Sequence, residues 1–408
     1  MIFTRDEAAR ILPRMSRSSL GLLAVLLAAG CEEAAPPAGE TGTSGGGTSD
    51  TEVSVGTTSA TSTTAPTTSA ESSSSSDGES SSSDSDGWVD IDCSEHCDDP
   101  GTEGEQMLCY ACRCKNAMDG FMPSPEQLQC SRAEELTIYT ADVSGPEPQL
   151  VPLEGDATSC ANPALLTERC GPGSRLGQLQ EGDIFVKWIC RDPDPETGIF
   201  ADAGAIMYNA RNGATCYFDD VDFVTGMDDW PHLDFEESDQ ANFDDYVAKF
   251  YFTDGESCST DCHDADPFIY TPYFQSVAWV TGNYVIQPYG RVNLEGELDA
   301  IDASHLVSPE VLECRQCHRL GSAAGCDLLG PDALGEYKNG ATEQAVVDAT
   351  EPGSPHWKLA YWMPNGREIE SFDAWTKMFG EAKQRLTQCC EQPGVDTPDC
   401  DWEPIPAE

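Results

Sequence analysis

Nineteen cysteines in 408 residues constrain this chain more than any hydrophobic pattern in it. That density is out of place in a reducing cytosol and suits an exported chain stapled by disulfides. The cysteines cluster. Cys93, Cys97, Cys109, Cys112, Cys114 and Cys130 crowd residues 88–130. They read as three disulfides in a small loop-rich module, with pairing undetermined. Cys109-Tyr110-Ala111-Cys112-Arg113-Cys114 has a spacing that zinc can use, but the one histidine at hand is His96, and an oxidising compartment favours disulfides. Cys160, Cys170, Cys190 and Cys216 are expected disulfide partners in the middle of the chain. Cys326, Cys389, Cys390 and Cys400 lie near its end.

Two cysteine pairs differ from the rest because a histidine follows each. Cys314-Arg315-Gln316-Cys317-His318 is the pattern that attaches haem c: two sulfurs about one helical turn apart form thioethers, and the adjacent imidazole ligates iron. Random placement at this composition yields about 0.01 such matches. A looser version, Cys258-Ser259-Thr260-Asp261-Cys262-His263, has three spacers in place of two. Both sets are candidate haem c sites, which makes one haem or two. The alternative for each is a disulfide beside an unrelated histidine.

The N-terminus supports export. Arg5, Arg10, Arg14 and Arg17 precede an apolar stretch, 20–29, that is too short to span a bilayer. Leu27-Ala28-Ala29-Gly30-Cys31 resembles the lipobox of bacterial lipoproteins, which implies a signal peptide over 1–30 and lipidation of Cys31. Glu32, where an aspartate would signal retention in the inner membrane, favours the outer membrane. No other segment is apolar enough for a transmembrane helix. Residues 31–87, rich in Ser, Thr, Gly and acids, form a disordered linker with a span of about 40 Å, a tether from the anchor. The net charge of −50 disfavours nucleic acid and anionic lipid surfaces and favours a basic redox partner.

Residues 131–250 are expected to be strand-rich. The stretch 183–190 mixes β-branched and aromatic residues over strand length, and Arg211-Asn212-Gly213 separates two strand-like runs as a hairpin turn. The acidic run 219–245 reads as a solvated surface loop; it lacks the ligand spacing of a calcium hand. In 251–408, Ser308-Pro309-Glu310 starts a helix that would carry Cys314, Cys317 and His318 and stop at Gly321. Trp362-Met363-Pro364-Asn365-Gly366 presents Met363 as the sixth iron ligand, with His356 and His305 as rivals; Met378 is expected in the core. An amphipathic helix over 371–388 follows. The order of CxxCH helix, Met-Pro loop and C-terminal helix resembles a small class I cytochrome c. For the upstream motif, the distal ligand is His232, His305, a residue from another domain, or none, and an open position would allow small-molecule binding or peroxide chemistry.

Residues 183–400 resemble a group of exported Gram-negative proteins described as cytochrome c-like lipoproteins. The residues that carry the likeness are Asn212-Gly213-Ala214-Thr215-Cys216-Tyr217-Phe218, Cys262-His263 leading into Asp266-Pro267-Phe268-Ile269, the stretch from Cys314 to Gly321, and Trp362-Met363-Pro364. The resemblance implies haem at His318, haem also at His263, and electron transfer. The fold class expected is α+β and multidomain: a disulfide-rich, strand-rich middle followed by a mainly helical cytochrome c-like region over 251–408. Two other functions compete. One is a haem-free, disulfide-stapled surface lipoprotein that binds a partner; the other is a haem peroxidase, for which acid and base groups cannot be placed. No Ser-His-Asp, HExxH or phosphate-loop pattern is present.

Overall fold

A computed structural model describes residues 91–155, 157–226, 255–269, 271–274, 276–277, 288–315, 319–323, 325–326, 330–333, 335–336, 339–361 and 368–406. All belong to one compact unit of the chain. Cys31, His232, Cys317, His318 and Met363 lie outside the described residues, as do the linker and most of the acidic run.

In chain order the elements open with α1 (Ser94–Cys97), α2 (Glu103–Ala117), β1 (Glu134–Glu135), β2 (Tyr139–Asp142), β3 (Gln149–Pro152), β4 (Arg175–Glu181), β5 (Ile184–Pro193), β6 (Phe200–Asn209) and β7 (Ala214–Val224). There follow α3 (Glu256–Asp261), β8 (Gly290–Val292), β9 (Leu298–Ala300), β10 (Ser304–Leu306), α4 (Leu312–Arg315), α5 (Gly330–Ala333), α6 (Gln344–Ala349), α7 (Phe372–Cys390) and β11 (Trp402–Pro404). The strands β1-β4-β5-β6-β7-β8-β9 form a seven-stranded sheet in that order. It is antiparallel except where β7 runs parallel to β8. The expected hairpin is present: β6 and β7 pair antiparallel, with Tyr208 opposite Thr215. Gly213 sits there at φ 78°, and a side chain would collide with the Pro288 backbone. The strand expected over 183–190 is β5. The acidic run begins differently from expectation, since β7 continues through Val224 and takes its first residues into the sheet.

Strand alternation divides the core. Val186, Trp188, Cys190, Ala205, Met207, Cys216 and Phe218 face one side of the sheet and pack against Met107, Tyr110, Ala111 and Cys114 of α2. The intervening Ile189, Ile206 and Tyr217 face the other side and pack with Cys258, Cys262, Tyr273 and Phe274. The sheet therefore buries both faces, and the second is covered by the segment that holds the upstream Cys-His motif. Thr102 and Glu105 start α2 with reciprocal capping hydrogen bonds, in which each side chain accepts from the other residue's backbone N–H.

Among the described residues seven disulfides join Cys93–Cys112, Cys97–Cys109, Cys114–Cys216, Cys130–Cys190, Cys160–Cys170, Cys326–Cys390 and Cys389–Cys400. Three disulfides within 88–130 were expected; there are two. Cys114 and Cys130 instead reach β7 and β5, because α2 lies directly on the sheet. Cys258, Cys262 and Cys314 stand outside these seven. Disulfides at this density belong to an oxidising compartment. Among the described residues no helix is long and apolar enough to cross a membrane.

The described part of 251–408 mixes strands with helices. Its β8 and β9 belong to the large sheet, and β10 pairs with β11. The helix expected from Pro309 to Leu320 is shorter: a 3-10 turn, Pro309–Val311, leads into α4. Leu320 and Gly321 are extended, because they pair with β10: the Leu306 N–H donates to the Leu320 carbonyl, and His305 bridges to Gly321. The C-terminal helix is present as α7, with the Ser371 side chain accepting from the Ala374 N–H. Met378 is 58% exposed, contrary to the core position expected. The buried stripe of α7 runs through Trp375, Ala382, Leu386 and Cys389, and Met378 falls on its flank.

Candidate functional site

The upstream motif is built on α3. Cys258 lies within the helix and Cys262 caps its C-terminal end, one turn on, so both fall on one face and pack against the sheet. His263 follows, with its backbone N–H donating to the Cys258 carbonyl at 2.9 Å. Its side chain is fully buried. The ring of Tyr217 lies 5.7 Å away, centroid to centroid. The Tyr289 hydroxyl donates to the His263 carbonyl at 2.5 Å and is itself in a close hydrogen bond with the Tyr217 hydroxyl.

The two nitrogens of His263 differ. Nδ1 faces the Asp266 carbonyl at 3.3 Å. A carbonyl only accepts, so Nδ1 carries the proton and Nε2 holds the lone pair. Nε2 is buried and has no hydrogen-bond partner. Burial holds the imidazole neutral, with its pKa down at about 3, and the backbone carbonyls of Asp266 and Pro267 only partly counter this. A neutral imidazole with an oriented lone pair and a carbonyl behind it is the state in which histidine ligates a metal.

The segments that follow the two motifs meet in space. The Arg319 N–H donates to Asp266 Oδ2 at 3.2 Å, and Arg319 Nη1 donates to the Ala265 carbonyl at 3.0 Å. Arg319 Nε also lies 3.5 Å from Asp266 Oδ1. Burial pushes the Asp266 carboxyl up to about 6, against the pull of Arg319. Asp264 Oδ2 accepts from the Ala323 N–H at 2.7 Å and the Gly325 N–H at 3.2 Å. Gly321 presses on this carboxylate so closely that any β-carbon would overlap it. That contact is why glycine stands there.

Cys314 is partly buried against the cluster of Leu306, Val311, Leu320, Cys326 and Leu386. Burial, and then the Glu313 charge, pushes its thiol up to about 11, so the sulfur stays protonated. Of the rival ligands, His305 is buried on β10 beside Gly321. His356 sits at the edge of the Trp357–Leu359 turn, with Nδ1 buried and without a partner. Asp264, Asp266, Arg319, Tyr217 and Tyr289 were not anticipated. The alternating acids in His263-Asp264-Ala265-Asp266 were the one local hint. Among the described residues no cluster of three or more metal-ligating side chains gathers.

Comparison with protein-family models, with curated proteins and with solved structures found no match to this chain.

Proposed function

We propose that this chain is an exported, lipid-anchored electron-transfer protein of the cytochrome c type, carrying covalent haem at Cys314, Cys317 and His318, with Cys258, Cys262 and His263 as the second candidate set. The observation that carries the reading is the state of His263: a buried neutral imidazole, with Nδ1 held by a carbonyl and Nε2 open, placed directly after a helix with two cysteines on one face. The residues fit such a group in kind.

When bound, haem c supplies one-electron exchange between Fe(III) and Fe(II). The chain's own residues do the rest. The Asp266 carbonyl fixes the His263 tautomer, and Tyr289 pins its backbone. The apolar face of the sheet excludes water, which raises the cost of net charge and so sets the potential. Anchoring through Cys31 keeps the protein at a membrane, and its acidity draws a basic redox partner.

The rival reading is a haem-free, disulfide-stapled binding lipoprotein. The complete burial of His263 against Tyr217 and the sheet favours it, since a closed core leaves the histidine a packing role. The decisive measurement is a pyridine haemochrome assay on the mature chain made in a periplasm with haem c maturation machinery. Covalent haem in stoichiometric amount supports electron transfer. Its absence, with the motif cysteines oxidised, leaves the binding lipoprotein.

A further inference from the structure

We propose that Arg191, Asp192, Asp202 and Asp219 form a clamp that holds the turn Pro272–Phe274 on the sheet and tightens as pH falls. The device is independent of the haem reading.

The clamp is built from three strands and the segment that covers them. Arg191 lies two residues beyond Ile189 on β5, and Asp219 lies two beyond Tyr217 on β7, so both point to the second face of the sheet. Asp202 stands opposite Arg191 on β6 and makes a close ion pair with its Nη1. Arg191 is buried, and its Nη2 has no hydrogen-bond partner. Asp192 follows with φ 50°, a conformation that a non-glycine residue rarely holds inside a strand. Its N–H donates to Ser174 Oγ at 3.0 Å. Gly171 shows how tightly the groups converge: a β-carbon there would fall 2.5 Å from Asp192 Oδ1 and 3.0 Å from both Ser174 Oγ and the Tyr273 hydroxyl. Tyr273 is buried and belongs to the covering turn, so this turn closes directly on the charged cluster.

The charges do not balance. Three carboxylates surround one buried guanidinium, which is hydrogen-bonded to Asp202. The other cation at the cluster, Arg169, is 71% exposed and lies 3.7 Å from Asp192, where water weakens the pairing. Burial pushes the Asp219 carboxyl up to about 6 against the pull of Arg191, and Asp202 adds to the rise. Burial also raises Asp192, against Arg169 and Arg191. The Tyr273 hydroxyl is pushed up by burial and stays protonated. Asp192 and Asp202 are 16% and 22% exposed, so protons reach the cluster from solvent. Lifting the turn would return the carboxyls to water, where they ionise near 3.8. With pKa values raised in the closed form, protonation favours closure. Docking is strongest below about pH 4 and weakens as pH rises through about 6. His263, on the same covering segment, titrates in the opposite sense and is held constant in the test.

The test is hydrogen exchange by mass spectrometry on the full chain at pH 5 and pH 8, corrected for intrinsic exchange. Wild type, Asp219→Asn and Asp192→Asn are compared. Asparagine keeps the neutral state at every pH, and the His263 contribution is common to all three. The reading is taken at the Phe274 and Val277 N–H groups, which donate to the Thr271 and Phe274 carbonyls. Peptides from α2, on the opposite face, are the control. The Asn variants are expected to slow exchange at Phe274 and Val277 about tenfold at pH 8 and to come close to wild type at pH 5. Faster exchange in the variants at pH 8 would overturn the proposal, because the carboxylates would then act as ordinary ion pairs. An equal difference at both pH values would do the same, as would an effect of equal size in α2. A variant that folds at neither pH also counts against it, because the neutral form would then be unable to close the clamp.

Discussion

At the scale of single residues, the consequences of burial at His263 are measurable without haem. Its folded pKa of about 3 lies below the ordinary 6.5. The unfolded chain therefore binds a proton first as pH falls, and stability is lost from about 6.5 downward. Between pH 7 and pH 5 the haem-free chain should lose about 2 kcal/mol through this residue. Asp219 acts in the opposite direction, because burial raises its carboxyl to about 6 and the folded state gains as it protonates. The contribution of His263 is isolated by comparing urea titrations of wild type and His263→Asn at both pH values. An equal acid sensitivity in the two would show that His263 is not buried neutral. Gly321→Ala should cost about 1–3 kcal/mol, since the new methyl group must displace the Asp264 carboxylate or the backbone; urea midpoints measure it. His263 was legible from its motif. The reasons for its unusual state were not, because Tyr217, Tyr289 and Asp266 reach it only through the fold.

Among the elements, those with strong local signals formed where the chain pattern placed them. The hairpin around Gly213 and the helix capped by Ser371 needed only turn chemistry, capping and periodicity. Ser371→Ala should destabilise the chain by about 1 kcal/mol, read as a lower thermal midpoint, because the Ala374 N–H loses its acceptor. The helix expected through Leu320 shows the limit of local signals. Ser308 and Pro309 do start a turn, but Leu320 and Gly321 are recruited into pairing with β10. A backbone partner supplied by a distant strand outweighs helix propensity, which is worth only tenths of a kcal/mol per residue. Met378 was misplaced for a related reason: the amphipathic pattern identified α7, but which flank is covered depends on what packs against it.

On the scale of the whole molecule, disulfides and charge dominate. Cys114–Cys216 closes a separation of 102 residues, shortened in effect by the nested Cys130–Cys190 bridge. Replacing both Cys114 and Cys216 by serine should cost about 4 kcal/mol in the chain-entropy account, measurable by denaturant titration. A loss near zero would mean that α2 holds to the sheet by packing alone. On the electron-transfer proposal, the net charge of −50 predicts that association with a basic redox partner slows steeply as ionic strength rises. Stopped-flow rates that do not change with salt would remove charge as the basis of partner choice.

Composition and motif alone determined the oxidising compartment, the strand-rich middle, the hairpin, the C-terminal helix and the identity of the candidate ligands. These depend on residue type and short-range spacing, which a linear sequence carries in full. Only the tertiary structure decided which cysteines pair, that α2 is bolted to β5 and β7, that β8 and β9 complete the large sheet, and that the segments after His263 and Arg319 are joined. Each of these is a contact between residues far apart in the chain. Its free energy comes from surfaces and hydrogen-bonding groups that meet only once the sheet has formed.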